Sequence, residues 1–373
     1  MRVRRLLRRV FPILTISSFF IVIYFHRSNY GIPPTIRKNM TDSINITVKA
    51  NPDRFIRLNR NDNDDLGNKM YNLASLYGIG KIVNRIPSFI ADDKYDPNSS
   101  LELKTMFPKI FDTLAFKNVS DNDSITHIAF GSDDLAYTDP KIIHDSNATW
   151  MVLDGNHYES YKYFHPFRDE IRVMFEFGPK LLTAVDAYAS KLFGKDKSHK
   201  LCAHIQRGGL LQQSNLESRS NFVVGAVLRI VEFLYTQYHI EALSLVFIGI
   251  KDDFYNTLNV PRYIDPHFGH TYKAYLNDSG EELAFGATHC DSFLITASGS
   301  TFAWWMAYLG NSERPVFYNG QVSKARNHSK DYHDYDMFPP EWHKMEYDKT
   351  IDDVVFKKLW NFELFNRKID EKA

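Results

Sequence analysis

From Arg54 onward, short apolar runs alternate with longer stretches in which apolar positions recur every three or four residues. The short runs predict strands over 55–58, 125–130, 150–153, 201–205, 243–248 and 293–297, and the longer periodicity predicts helices over 68–83, 166–177, 180–193, 222–238, 302–309 and 351–365. Strands that alternate with helices of this length argue for an α/β fold. About 320 residues exceed one ordinary core, so two α/β domains are expected, 54–178 and 179–373, with the polar stretch 194–200 as a candidate hinge.

The segment before Arg54 has a different pattern. Residues 10–25 are uncharged and apolar, five arginines (Arg2, Arg4, Arg5, Arg8 and Arg9) precede them, and no acidic residue occurs before Asp42. Sixteen residues make roughly 24 Å of helix, close to the thickness of an early secretory bilayer. Pro12 sits where a first-turn proline is tolerated. No small-residue cleavage site follows the run, so an uncleaved anchor is preferred to a signal peptide. The charge asymmetry predicts a cytoplasmic tail over 1–9, a transmembrane helix over 10–27 and a luminal remainder, which is a single-pass type II topology. Residues 28–53, with Pro33-Pro34 and no sustained period, read as a stem.

Composition sharpens this picture. Lys+Arg and Asp+Glu both number 45, which gives a net charge of zero and speaks against a nucleic-acid binder. The zero divides into six arginines in the first 27 residues and a mildly acidic remainder. Eight Asn-x-Ser/Thr sequons begin at Asn39, Asn45, Asn98, Asn118, Asn122, Asn147, Asn277 and Asn327. Roughly three would arise by chance, so the excess supports a luminal, glycosylated chain. Two cysteines, Cys202 and Cys290, leave one disulfide open in that oxidising compartment.

Three segments carry candidate chemistry. Asp64-Asp65-Leu66-Gly67-Asn68 lies between a strand and a helix, where a glycine lets backbone amides approach a ligand. Its alternative reading is an ordinary turn. His204-Ile205-Gln206-Arg207-Gly208-Gly209 ends a strand, so Arg207 falls at the carboxyl edge where open sheets bind ligands; the alternative is a surface ion pair. In Ser300-Thr301-Phe302-Ala303-Trp304-Trp305 a hydroxyl caps a helix, and the aromatics are expected in the core. Spacing for a P-loop, a calcium loop, a zinc site and a nucleophile elbow is missing.

In order, these segments resemble the α1,2-fucosyltransferases of glycosyltransferase family 11. Leu66-Gly67-Asn68-x-Met70 and Ala74-Ser75-Leu76-Tyr77-Gly78 resemble its first motif, and Ser160-Tyr161-Lys162-Tyr163-Phe164 its Q-S-x-K-Y-F segment. His204-x-x-Arg207-Gly208 falls at its H-x-R-R-x-D, the turn at Lys251-Asp252-Asp253-Phe254 at an S-D-D-like position, and Ser300-Thr301-Phe302-x-Trp304-Trp305-x-Ala307-Tyr308-Leu309 matches its last motif. The resemblance implies a GT-B-like pair of Rossmann-type domains, the first facing the acceptor and the second holding GDP-sugar. It further implies a Golgi enzyme that transfers fucose from GDP-fucose to a terminal galactose hydroxyl with inversion, and that needs no metal.

By position, the resemblance makes His204 and Arg207 catalytic. Gly67, Asn68, His204, Gln206, Arg207, Asp252, Asp253, Ser300 and Thr301 become donor contacts, with Arg219 an alternative phosphate ligand; the resemblance names no base, and position alone offers Glu217 and Asp253. Gln206 stands where the family has the first Arg, Gly209 where it has Asp, and Asp64-Asp65 where it has Gly-Arg or Gly-Gly. A catalytically impaired relative that binds a glycan or a partner is therefore the competing expectation.

Overall fold

The computed structural model describes residues 54–59, 65–89, 103–131, 137–155, 158–209, 216–321 and 334–357. The expected tail, anchor and stem, four sequons (Asn39, Asn45, Asn98 and Asn327) and positions 358–365 lie outside them. No helix among the described residues is long and apolar enough to cross a membrane.

The first sheet contains β1 (Phe55–Leu58), β2 (Ile86–Phe89), β3 (Ala115–Phe116), β4 (Ile125–Ala129) and β5 (Trp150–Asp154) in the order β3-β2-β1-β5-β4. All its pairings are parallel. Helix α1 (Leu66–Ile82) links β1 to β2 and is buried along most of its length. Two glycine-scale contacts explain that burial: a Cβ on Gly78 would lie 2.1 Å from the Tyr163 carbonyl, and Ser75 Oγ donates to the Tyr158 carbonyl at 2.7 Å. Helices α2 (Arg168–Met174) and α3 (Pro179–Phe193) follow.

The second sheet contains β6 (His199–His204), β7 (Leu243–Ile248), β8 (His270–Ala274), β9 (Ser292–Ile295), β10 (Val316–Asn319), β11 (His343–Asp348) and β12 (Asp353–Phe356), in the order β12-β11-β10-β9-β6-β7-β8. Every pairing is parallel except β11 with β12. Strand β7 is buried at all six positions because helices cover both faces, as a parallel sheet requires. Leu201, Ala203, Leu245 and Phe247 pack with Phe222, Ala226 and Ile230 of α4 (Ser220–Tyr238). Cys202, Val246 and Ile248 pack on the opposite face with residues of α6 (Ser279–Thr288) and α7 (Thr301–Leu309); a short α5 (Asp252–Thr257) follows β7.

One expected helix is corrected. Asp353-Val354-Val355-Phe356, inside the expected 351–365 helix, is a strand paired antiparallel with β11. Adjacent β-branched residues and the Val354 side chain packed against Gly225 of α4 favour the extended form. The 194–200 stretch is tied internally: Asp196, 8% exposed, accepts from Ser244 Oγ (2.7 Å) and Tyr272 OH (3.0 Å) and pairs with Lys200 (3.2 Å).

An aromatic layer joins the two sheets' helices. Tyr71 of α1 meets Trp304 (4.8 Å between ring centroids) and Trp305 (5.2 Å), Phe164 stacks on Trp305 (5.6 Å), and Trp304 stacks on Tyr308 (4.6 Å). The expectation that Trp304 and Trp305 are core residues is met. Buried Arg314 donates to the carbonyls of Gly286 (2.9 Å), Cys290 (3.3 Å) and Met306, and Arg172 donates to those of Tyr308 (2.8 Å), Leu309 (3.3 Å) and Gly310. Burial, with Arg172 nearby, lowers the Arg314 pKa to about 9, which leaves it protonated at neutral pH.

Cys202 and Cys290 form a disulfide with Cα atoms 5.7 Å apart. Cys202 lies within β6, and Cys290 lies just before the adjacent β9. Because the bond closes a long loop, replacing both cysteines by serine should lower stability by about 2–5 kcal/mol. Thermal unfolding checks this, and intact mass before and after reduction and alkylation should register the single bridge.

Candidate active site

Strands β6 and β9 are neighbours, so the loops leaving their carboxyl ends meet. The β6 loop carries Gln206, Arg207, Gly208 and Gly209, and the β9 loop carries Thr296, Ser298, Ser300 and Thr301. Gln206 N–H donates to Ser218 Oγ (2.9 Å), and Ser218 contacts Thr296 Oγ1 (2.6 Å), whose hydroxyl donates to the His204 carbonyl. The Thr296 donation fixes Ser218 as the donor to it. Asn319 Nδ2 closes the set on the Thr296 carbonyl at 3.1 Å.

Ser300 is the N-cap of α7; its Oγ accepts from Ala303 N–H (3.1 Å) and donates to Gln206 Oε1. Thus Gln206 and Ser300, expected to share a ligand, touch each other directly. Gly208 (φ +89°) and Gly209 (φ +58°) are both left-handed, and among the described residues nothing lies within 4 Å of a Cβ built on either. Glycine alone adopts such a turn freely.

The charged residues are engaged. Arg207, 44% exposed, pairs with Glu217 at 3.2 Å and lies over the Phe254 ring at 4.6 Å. Glu217, 14% exposed, also accepts from Gly208 N–H at 3.0 Å. Burial works to raise its pKa, but the Gly208 and Arg207 hydrogen bonds and the charges of Arg207 and Arg219 outweigh it and hold the carboxyl below its usual range. A carboxylate so stabilised is a weak base, which disfavours one of the two expected base positions.

His204 is 3% exposed and faces Glu282 (3.6 Å) and Phe302 (5.8 Å between rings); its Nδ1 has no partner among the described residues. The position expected to line a diphosphate therefore supports the loop from beneath. Asp252 and Asp253 open α5, one strand away at the end of β7. Asp252 binds Lys273 (2.7 Å) and Tyr275 OH (2.9 Å), while Asp253 caps the adjacent Phe254 N–H (2.8 Å).

The first turn of α1 forms the remaining wall. Asp65 is its N-cap, accepting from Asn68 N–H at 3.0 Å. This occupies an amide that an anion would otherwise use and gives the unexpected acid a local role. A Cβ on Gly67 would lie 2.4 Å from Thr301 Oγ1 and 2.8 Å from Phe302 N, and Trp305 Nε1 donates to the Gly67 carbonyl at 3.0 Å. Gly67 and Thr301 are in direct contact, so the starts of α1 and α7 meet. Asn68 Oδ1 is buried without a partner, an acceptor facing no donor of the described protein.

Ser218, Thr296 and Asn319 were not anticipated, because their bonds join positions far apart in the chain and leave no local pattern. Ser160 and Lys162 of the third resembling segment bind Asp336, by Ser160 Oγ to its carbonyl (2.6 Å) and by an ion pair. The described sequon residues Asn118, Asn122, Asn147 and Asn277 are all exposed.

Two largely parallel sheets, joined by a contact between the first turns of helices that leave their carboxyl edges, define the α/β architecture. The sequence profile of glycosyl transferase family 11 matches residues 35–346, and the chain belongs to that family. A Caenorhabditis elegans protein named galactoside 2-alpha-L-fucosyltransferase is 28% identical over 312 residues, covering 76% of this chain and 75% of its own. Another C. elegans protein of the same name is 25% identical over 284 residues, covering 75% and 76%. The solved fucosyltransferase NodZ from Bradyrhizobium is similar with a TM-score of 0.46 at 11% identity, covering 82% of this chain and 99% of its own.

Gly67→Ala should push α1 away from α7, lower Tm and cost about 1–3 kcal/mol, as overpacking does. Thermal and urea unfolding would show this. Glu217→Gln removes a carboxyl whose folded pKa is depressed, so its stabilisation is present above the unfolded pKa and lost as pH falls through the folded one. The stability gap between parent and variant should be full at neutral pH and close below the usual carboxylate range, as denaturant titrations at several pH values would record.

Proposed function

We propose that this chain is a Golgi type II membrane enzyme that transfers fucose from GDP-fucose to a terminal galactose hydroxyl, forming an α1,2 linkage with inversion and without a metal. The observation that carries the reading is the union of two family segments at one sheet edge: the β6 loop with Gln206 and Arg207 lies against the start of α7 through Ser300. Family membership and the names of the C. elegans relatives supply the donor and acceptor classes. The N-terminal charge pattern and the eight sequons support the topology.

Breaking the bond between sugar and phosphate leaves negative charge on the β-phosphate. In the absence of a metal, protein donors must meet it. Here these are the α7 first turn with Thr301, the amides of the Gly208-Gly209 turn, and Arg207 after exchange of its Glu217 contact. Asn68 Oδ1, buried and without a partner among the described residues, suits a ligand hydroxyl or amine on the opposing wall.

A specific observation favours a second reading. Gln206 is a neutral amide already bonded to Ser300, and Arg207 is already paired, so the site holds less free positive charge than its relatives' motif implies. On that reading the chain binds a glycan or a partner protein without turnover.

The full-length protein should release GDP from GDP-fucose only when a galactoside is added, and Arg207→Ala should lower the rate by about a hundred- to a thousand-fold. No turnover across a panel of galactosides would overturn the enzyme reading. Gln206→Arg with Gly209→Asp should then create activity; if the parent already matches this double variant, the non-catalytic reading falls instead. Aspartate is among the few residues that occasionally adopt φ +58°, and no described residue crowds a side chain there.

A further inference from the structure

The sequons are a motif that fucosyl transfer does not use, and the fold groups two of them. Strand β5 lies between β1 and β4, and Phe55, Trp150 and Ile125 are level across the three. All three strands run the same way, so Arg54, Thr149 and Ser124 stand side by side at the amino edge of the sheet, opposite the edge that β1 leaves toward α1. Ser124 and Thr149 are the hydroxyl residues of the sequons at Asn122 and Asn147. The two sequons touch: Thr149 N–H donates to Ser124 Oγ at 3.0 Å, the hydroxyl oxygens are 3.5 Å apart, and Trp150 N–H donates to the Ser124 carbonyl at 2.9 Å. Neighbouring strands lie about 4.8 Å apart, so the two asparagines, each two residues before its hydroxyl, precede the sheet as a pair.

Asn122 and Asn147 are both exposed. Within the first sequon, Asp123 accepts from Trp150 Nε1 (3.1 Å) and from Ser120 N–H (2.8 Å), which anchors the turn that carries Asn122 to β5. Asn147 is held through its oxygen: Arg54 Nη2 donates to Oδ1 at 3.0 Å, while Arg54 Nη1 pairs with Asp145 at 2.6 Å. An N-glycan is attached through Nδ2, so the contact that positions Asn147 leaves the reacting atom unused. Asn277 differs, because its own Nδ2 donates to Glu281 at 2.7 Å. Arg54 also opens the head, where the expected stem joins it.

We propose that Asn122 and Asn147 carry a pair of adjacent N-glycans that cover the joint between stem and head. This rests on the luminal topology given above and is independent of the transfer reaction. At each residue Nδ2 forms a bond to C1 of the first sugar as the bond from C1 to the diphosphate of a lipid-linked oligosaccharide breaks. The electron pair of the broken bond stays on the diphosphate, and Nδ2 gives up one proton. The glycosylated amide keeps its carbonyl oxygen, so Arg54 retains its contact with Asn147. At the amino edge the pair stands clear of the contact between Gly67 and Thr301.

The test uses the full-length chain made in insect cells and mapped by peptide mass spectrometry after enzymatic release of N-glycans, which leaves aspartate at each formerly occupied asparagine. The peptides holding Asn122 and Asn147 should both carry that mark, and this mapping needs no variant. Asn122→Gln and Asn147→Asp should each lose one glycan from the intact mass, and the double variant should lose two. Asn147→Asp keeps an oxygen for Arg54 and removes the nitrogen that takes the sugar. With thermal unfolding matched to the parent, the double variant should be cut by trypsin after Arg54 several-fold faster, whereas Asn277→Gln should be cut at the parent's rate. An unoccupied Asn122 or Asn147 in a chain glycosylated elsewhere, or equal cleavage of parent and double variant, overturns the covering pair and leaves the topology standing. A chain with no glycan at any of the eight sequons overturns the luminal topology, and the pair with it.

Discussion

The approach of Gly67 to Thr301 and Phe302 is the constraint on which the rest of the molecule depends. It allows two helices from different sheets to meet at their first turns, and it places the Gly67 carbonyl within reach of the Trp305 indole. The aromatic layer beneath, from Tyr71 through Trp304 to Tyr308, fills the volume that this approach defines. A side chain at position 67 would separate the helices by roughly the width of a methyl group and expose that layer. The same contact sets the opposing carboxyl edges of the sheets, and so fixes where a ligand can enter.

Behind the entrance, the β6 and β9 loops are joined by neutral hydrogen bonds, and the ionic groups lie at the rim. Ser218, Thr296, Asn319 and Ser300 satisfy buried backbone and amide groups that would otherwise be costly. Arg207 and Glu217 sit where solvent can mediate exchange between protein and ligand partners. Such a division keeps the loop shape independent of the charge state of the rim. It also separates two roles that a single arginine at position 206 would combine, holding the loop and meeting a phosphate.

The parts legible in the sequence were those with local causes. β1, β5 and β7 appear as apolar runs because both faces of a parallel strand are covered, α1 and α4 appear as long helical stretches, and α7 shows its hydroxyl cap at Ser300. Strands β8 and β11 escaped because half-exposed strands such as His270–Ala274 and His343–Asp348 mix charged and aromatic residues. Helix α6 escaped because Ser279-Gly280-Glu281-Glu282 resembles a turn until Asp278 is seen to cap it. Gln206, Ser300 and Gly67 were singled out from motif resemblance, and the structure brings their segments into contact. The surface ion pair weighed for Arg207 is formed with Glu217; the burial of His204 was not readable, since it depends on the helices that carry Glu282 and Phe302.

Arg172 and Arg314, which bind the last carbonyls of α7, touch nothing at the cleft, yet they alter its field. A helix carries a partial negative charge at its carboxyl end, and two guanidiniums placed there cancel it. The positive end at Ser300 and Thr301 is then left without its usual counterpart, some nine residues or about 14 Å away through a low-dielectric interior. An electrostatic inventory of the entrance that counts only the residues lining it would omit these two cations. In a chain with a neutral amide at position 206, a share of the attraction for an anion thus originates from arginines on the far side of the helix.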